Sequence, residues 1–298
     1  MIAAIAAAAV LARLASPLPA APGLVEPFFD SATLEGVYRL TLASDGSVEN
    51  CGPLIRTASP MLNQRLCSLL GQARFEPARN AAGAPSIGVL NIPVRWTGPG
   101  GQLTSFIAQD VDLTVAAMPA GAPVHPIAEL ALNVDAAGRV EDCALARSSG
   151  SPALDAVSCK SGPAAAGVRP ARDHSGQAVA SAQSLSVGFG AYDPVVFKKD
   201  RQSAGFGDSG PYYPEGASRL GVSGYAVLAC QAGADGALEG CAVAEEFPSG
   251  ESFGLAALKC AKTGWMKAAP GVRGPVRVRV DFPVTEMFRK VFSRMGAR

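Results

Sequence analysis

Hydrophobic and polar residues alternate in three stretches of this chain, each broken by a glycine-bearing turn. In the first, Gly36-Val37-Tyr38-Arg39-Leu40-Thr41-Leu42 alternates with the period of two of a half-buried strand. Ser44-Asp45-Gly46-Ser47 interrupts it as a hairpin turn, and Val48 to Arg56 returns as the partner strand. Ser59-Pro60 opens a helix, with Ser as N-cap and Pro in the first turn; Leu62, Leu66, Leu69 and Leu70 give it an apolar face. Ile87 to Trp96 alternates again and predicts a closing strand. The second stretch repeats the order: Leu130 to Val134, the turn Ala136-Ala137-Gly138-Arg139, then Val140 to Arg147. A helix follows from Ser151-Pro152, with Ser161-Gly162-Pro163 expected to end it, and Gln183 to Gly190 closes. In the third, Gly224 to Gln231 turns at Ala234-Asp235-Gly236-Ala237 and returns over Leu238 to Glu246. Phe253 to Thr263 reads as a helix. Val276, Val278, Val280 and Phe282 then alternate with Arg277, Arg279 and Asp281 in a last strand, and Glu286 to Met295 predicts a short terminal helix.

The expectation is an α+β chain of three small ββαβ units, each an antiparallel sheet with one helix packed across it. They occupy residues 34–97, 126–190 (the more degenerate) and 213–285. Residues 98–102 and 191–212, rich in Gly, Ser or charge, are expected as linkers, and 286–298 as a terminal helix or tail.

The cysteines follow the same rhythm. Asp45-Gly46-Ser47-Val48-Glu49-Asn50-Cys51 returns as Ala137-Gly138-Arg139-Val140-Glu141-Asp142-Cys143 and as Asp235-Gly236-Ala237-Leu238-Glu239-Gly240-Cys241. A second cysteine follows each, at Cys67, Cys159 and Cys260, at separations of 16 (67 − 51), 16 (159 − 143) and 19 (260 − 241). The expected scheme is one strand-to-helix disulfide per unit: Cys51–Cys67, Cys143–Cys159 and Cys241–Cys260. Cys230 is left as a buried free thiol, with a reactive or intermolecular thiol as the alternative. Six buried thiols are the competing reading. Zinc fits less well, because His125 and His174 lie outside any cysteine cluster. Units this small bury little core, and closing a loop of about 15 residues contributes about 3 kcal/mol.

Ile2 to Ala12 is an apolar run of 11 residues, broken by Arg13 and followed by Pro17, Pro19 and Pro22. A bilayer needs about 20 residues, so residues 1–21 are expected as a signal peptide cut near Ala20 or Ala21, or as a weak anchor. Disulfides agree with an oxidising compartment such as the periplasm. Net charge is +1, from 26 basic and 25 acidic residues, with no basic stripe, so nucleic acid is excluded as a partner.

The third unit resembles the C-terminal domain of the TonB family. The resemblance rests on Tyr213-Pro214-Glu215-Gly216-Ala217-Ser218-Arg219-Leu220-Gly221, on Gly224-Tyr225-Ala226-Val227-Leu228, and on the Asp235-Gly236 turn. Gly254-Leu255-Ala256-Ala257-Leu258 and Trp265-Met266-Lys267-Ala268-Ala269 continue it. Unit one carries Arg74-Phe75-Glu76-Pro77-Ala78-Arg79 at the last of these places. Unit two carries Arg169-Pro170-Ala171-Arg172, and its Ser148-Ser149-Gly150 is similar to the family's second-strand end. The resemblance implies a small sheet that takes a short extended peptide, the TonB box of an outer-membrane transporter, onto a sheet edge. It implies as partners an outer-membrane receptor peptide or another envelope protein, with self-association through sheet edges as a further option. The edge expected here is Val276, Val278, Val280 and Phe282. A full-length anchor, a His in the N-terminal segment and a long proline-rich spacer, as in a complete energy transducer, are not seen in the sequence. An anchored transducer and an envelope scaffold without peptide ligand stand as the alternatives.

No enzyme pattern holds up, and no metal or cofactor is expected. Gly207-Asp208-Ser209-Gly210 resembles the nucleophile loop of trypsin-like proteases, but the matching Ala-Ala-His-Cys segment is absent. Gly98-Pro99-Gly100-Gly101 and Gly188-Phe189-Gly190 lack the strand–loop–helix context and lysine of a phosphate loop. Glu245 and Glu246 are adjacent on a strand end and so point apart.

Overall fold

The computed structural model describes residues 9–15, 18, 33–55, 60–97, 102–105, 108–123, 125–198, 212–220 and 222–283. Several expectations lie outside these residues: the cleavage site near Ala20 or Ala21, the Ser59 N-cap, Gly98 to Gly101, the protease-like Gly207 to Gly210 and the terminal helix over 286–298. The described residues form two compact units. Unit 1 draws on Met1–Asp30, Val37–Leu54 and Asn63–Gly190, and unit 2 on Ser31–Gly36, Ile55–Leu62 and Ala191–Arg298.

Unit 1 carries β1 (Arg13–Leu14), β2 (Thr33–Leu42), β3 (Val48–Ile55), α1 (Pro60–Leu70), β4 (Phe75–Glu76) and β5 (Gly88–Thr97). It continues through β6 (Gln102–Ser105), β7 (Val111–Thr114), β8 (Ile127–Val134), β9 (Val140–Arg147) and α2 (Pro152–Ala166). It ends with β10 (Ala171–Arg172), β11 (Ala178–Val179) and β12 (Ser181–Gly190). Here the structure departs from three separate domains. One eight-stranded sheet runs β3-β2-β5-β12-β8-β9, with β6 beside β5 and β7 beside β12. The two closing strands, β5 and β12, meet in parallel with Gly88 beside Ala182 and Val89 beside Gln183. Main-chain groups at a strand edge pair with any strand that reaches them, so two small sheets merge without a side-chain signature.

The expected linker at 98–102 holds the start of β6, which pairs with the end of β5 from Val94–Ser105 to Thr97–Gln102. The alternating Val111-Asp112-Leu113-Thr114 is a further strand, laid parallel on β12. Residues 9–15, inside the segment 1–21 expected as a signal peptide or weak anchor, depart from that expectation and join the fold, because their main chain finds strand partners: β1 pairs with β4, and Val10 bridges Arg79. Ala9 packs with Ala78, Ala131 and Ala182 in one small cluster.

Each helix covers its sheet through its apolar face. Leu66 and Leu70 of α1 and Tyr38, Leu40 and Leu42 of β2 are buried, and the Tyr38 hydroxyl donates to Asn63 Oδ1 at 2.7 Å. On α2, Leu154 joins Leu130, Leu132, Leu185 and Val187. This helix does not end at Ser161-Gly162-Pro163 but runs on to Ala166 and is capped by Gly167 in the left-handed region. Gly162 is a contact rather than a stop: a Cβ there would lie 2.7 Å from Val187 Cγ2. Packing against the sheet outweighs the local cost of Gly and Pro.

Unit 2 carries β13 (Val195–Phe197), α3 (Glu215–Leu220), β14 (Gly224–Ala232), β15 (Leu238–Phe247), α4 (Phe253–Lys262), β16 (Met266–Ala268) and β17 (Gly274–Phe282). Its main sheet runs β15-β14-β17, and β13 pairs with β16. Part of the expected linker 191–212 is therefore a strand. Phe253, Ala257 and Cys260 of α4 are buried against Leu228, Val278, Val280 and Phe282.

All three glycine turns close identically. Ala43, Asp135 and Gly233 donate N–H to the carbonyls of Ser47, Arg139 and Ala237, and Gly46, Gly138 and Gly236 donate back to Ala43, Asp135 and Gly233. The turn glycines hold φ of +85°, +84° and +77°. Each also touches the segment after its helix: a Cβ on Gly46 would strike the Phe75 carbonyl, one on Gly138 Pro170, and one on Gly236 the Ala268 carbonyl. The recurring phrase thus encodes a turn that must be bare as well as left-handed.

Disulfides join Cys51 to Cys67 and Cys143 to Cys159. In unit 2 the expected Cys241–Cys260 pair is replaced by Cys230–Cys241, and Cys260 is buried and outside the disulfides. The register explains the exchange. Ala229 faces Ala242 and Gln231 faces Glu239, so a bulge sets Gly240 and Cys241 against Cys230. The Cα atoms of Cys230 and Cys241 lie 4.1 Å apart. Counting outward from the Asp235-Gly236 turn brings Cys230 and Cys241 level, a signal present in the sequence.

Candidate strand-docking edge of unit 2

β17 is the outer strand of the β15-β14-β17 sheet. It lies antiparallel to β14 from Gly224–Phe282 to Ala232–Gly274. In such a ladder, alternate residues turn their main-chain groups to the neighbour and to the outside. Arg277 shows which set is outside, because both its N–H and its carbonyl bond to Asp193 rather than to β14. By alternation the main chains of Pro275, Arg279 and Asp281 turn the same way. Pro275 suits that side, since a proline there removes no ladder hydrogen bond.

The expected edge, Val276 to Phe282, is this outer strand. Val276, Val278, Val280 and Phe282 belong to β17, but their side chains are buried in the core of unit 2. Their main-chain groups, by the same alternation, serve β14. A strand added outside β17 would meet Arg277, Arg279 and Asp281 instead. Side chains alternate between the two faces of a sheet and main-chain groups between its two edges, so the residues buried in the core and those whose main chains point away from β14 alternate along this one strand.

The side chains of the outward set form a charged, aromatic array. Arg279 lies over the Tyr225 ring, with its guanidinium carbon 3.8 Å from the centroid. The Tyr225 hydroxyl donates to Glu245 at 2.5 Å, and Arg277 pairs with Glu245 at 3.6 Å. Arg279 also reaches Asp281 at 2.9 Å. Exposed pairs of this kind contribute about 0–1 kcal/mol each, so they set charge and position more than stability. Glu246, by contrast, accepts the Gly254 N–H at 2.9 Å at the start of α4. The adjacent carboxylates do point apart, and neither is placed for acid–base work with the other.

The end of β17 is pinned by Tyr213, whose hydroxyl donates to the carbonyls of Val222 at 2.7 Å and Phe282 at 3.1 Å. Its ring meets Phe253 and Phe282 edge-on. Burial holds the Tyr213 hydroxyl well above the usual phenol range, so it stays a donor.

The second feature at this edge is the segment before it. Asp193 donates its N–H to the Arg277 carbonyl at 2.8 Å, and its Oδ2 accepts the Arg277 N–H at 2.8 Å. Beyond it, Ala269 donates to the Pro194 carbonyl, β13 pairs with β16 from Val195–Ala268 to Phe197–Met266, and Lys198 donates to the Trp265 carbonyl. Nothing in the residue pattern of 191–198 beyond the short apolar Val195-Val196-Phe197 announces this.

His125 and His174 are exposed. Among the described residues, no three His, Cys, Asp or Glu side chains gather as a metal site would need. Among the same residues, no helix is long and apolar enough to cross a membrane.

Residues 209–285 match the family model described as Gram-negative bacterial TonB protein C-terminal. The match covers α3, the β15-β14-β17 sheet and α4. It makes this stretch TonB-like and ties it in general terms to transport across the Gram-negative envelope and to its receptors and other envelope proteins. No curated protein and no solved structure matches the chain.

Proposed function

We propose that this protein is a non-enzymatic, exported TonB-like binding protein of the Gram-negative envelope. It takes an extended peptide of the TonB-box kind, supplied by an outer-membrane transporter, as an added strand outside β17. The observation that carries the reading is the place of β17: it is the outer strand of the stretch that matches the TonB family, and its Arg277 main chain bonds outside the sheet. Main-chain pairing would give affinity, and the Arg277, Arg279 and Tyr225 array would give selectivity. The same reading treats the chain as three versions of one ββαβ module. Support comes from the identical turns and from the strand orders β3-β2-β5, β9-β8-β12 and β15-β14-β17. In the first two versions the closing strands use their edges on each other; in the third that side serves a partner.

The test is amide hydrogen exchange of the full chain with synthetic peptides from the N-terminal segments of TonB-dependent transporters. Slower exchange at Arg279 and Asp281, lost in an Asp281→Pro variant that cannot donate there, supports the reading. Unchanged exchange at saturating peptide sinks it and leaves an envelope scaffold. Fractionation tests the location: recovery in the soluble periplasm is expected, whereas retention in the inner membrane fits an anchored transducer.

A further inference from the structure

We infer that residues 193–198 are a built-in strap that occupies the docking edge and must leave before a peptide can pair along all of β17. The inference rests on the reading of β17 as a docking edge and adds its control. Asp193 uses both outward main-chain groups of Arg277, one through its own N–H and one through its carboxylate. Any strand pairing at Arg277 needs those same two groups. The strap is then held by β16: Val195 and Phe197 pack on the core of unit 2, while Val196 between them is exposed.

Unit 1 contains the same clasp at a strand addition that is complete. Asp110 donates its N–H to the Ser186 carbonyl at 2.8 Å, and its Oδ2 accepts the Ser186 N–H at 2.7 Å. Ser186 lies on β12, the closing strand of its own module. From that clasp the chain continues as β7, paired with β12 from Val111–Val187 to Thr114–Gly190. An aspartate clasp on a closing strand is therefore how this fold begins a strand addition. In unit 2 the clasp forms, but the chain turns off onto β16, leaving the rest of β17 to another strand. An occupant tethered to its own site taxes any incoming peptide by the fraction of time it stays seated.

The probe is a fluorescent synthetic peptide with the sequence of residues 191–198, titrated into three full-length chains. The first is the wild type. The second carries Asp193→Ala, which removes the carboxylate half of the clasp and leaves the main-chain hydrogen bond. The third carries Val196→Cys with Lys267→Cys, which face each other across β13 and β16, oxidised to lock the strap. Peptide mapping verifies the new bridge, and circular dichroism verifies folding. The hydrogen bond lost is the one to the carboxylate, the stronger kind, so its removal is expected to tighten probe binding by about tenfold. The locked chain is expected not to bind. Equal binding by all three chains overturns the strap. Transporter peptides that bind the wild-type and locked chains equally overturn the strap and spare the docking edge. Probe binding as expected, with no transporter peptide binding any chain, spares the strap and overturns the assigned partner.

Discussion

Replacing Asp110 by asparagine tests whether the seam of the eight-stranded sheet carries a buried charge. One carboxylate oxygen accepts the Ser186 N–H and the other accepts Asn91 Nδ2, each at 2.7 Å. Burial pushes the Asp110 carboxyl up to about 6 from 3.8, against the opposing pull of those two hydrogen bonds and of Arg39. A folded-state value above the unfolded one means that the native chain binds more protons between those pH values. Stability from this group is therefore full below about pH 4 and declines as pH rises to about 6. A displacement from 3.8 to about 6 corresponds to about 3 kcal/mol, and the part of Asp110 that still meets water reduces the expected effect to about 2 kcal/mol. Asparagine keeps an acceptor for Ser186. Its amide finds a partner in Asn91 Oδ1, a buried oxygen without a hydrogen bond, once the Asn91 amide turns over. Denaturant unfolding of wild type and Asp110→Asn at pH 4 and pH 7.5 measures the term. The variant is expected to gain about 2 kcal/mol on wild type between the two pH values. A difference that stays flat with pH, or that moves against the variant, refutes the reasoning.

Three further outcomes follow from the geometry. Cys230→Ala opens the β14–β15 bridge and is expected to cost about 3 kcal/mol in thermal or denaturant unfolding, the entropy of closing an 11-residue separation. Cys260, its thiol pushed by burial up to about 12, is expected to resist iodoacetamide at pH 8 until the chain unfolds; rapid labelling, or a Cys241–Cys260 peptide in non-reducing maps, would contradict the assigned pairing. Gly46→Ala is expected to lower stability by about 2 kcal/mol or more, because the left-handed turn and the Phe75 carbonyl both oppose a Cβ. Gly83→Ala, equally left-handed at φ +77° but in open space, is the control and is expected to cost about 1 kcal/mol.

Much of this protein is written locally. The turns at Gly46, Gly138 and Gly236 follow from residues that close and bare a tight bend, and the flanking strands follow from alternation. Recurrence of the phrase located Cys51–Cys67 and Cys143–Cys159, because a helix returning over a hairpin brings those positions together each time. The sequence also placed the TonB-like stretch, since its Tyr-Pro start and glycine turn are side-chain features. What remained hidden depends on main-chain geometry, which every residue type shares. The merger of β5 with β12 is made by main-chain groups alone, and the clasps of Asp110 on Ser186 and Asp193 on Arg277 join a carboxylate to main-chain groups far off in the sequence, which local pattern does not reveal. The Cys230–Cys241 pair, by contrast, was legible by counting outward from the Asp235-Gly236 turn, and the bulge opposite Cys230 accommodates it. Which main-chain groups of β17 point away from β14 was likewise settled by pairing, as the bonds of Arg277 to Asp193 show.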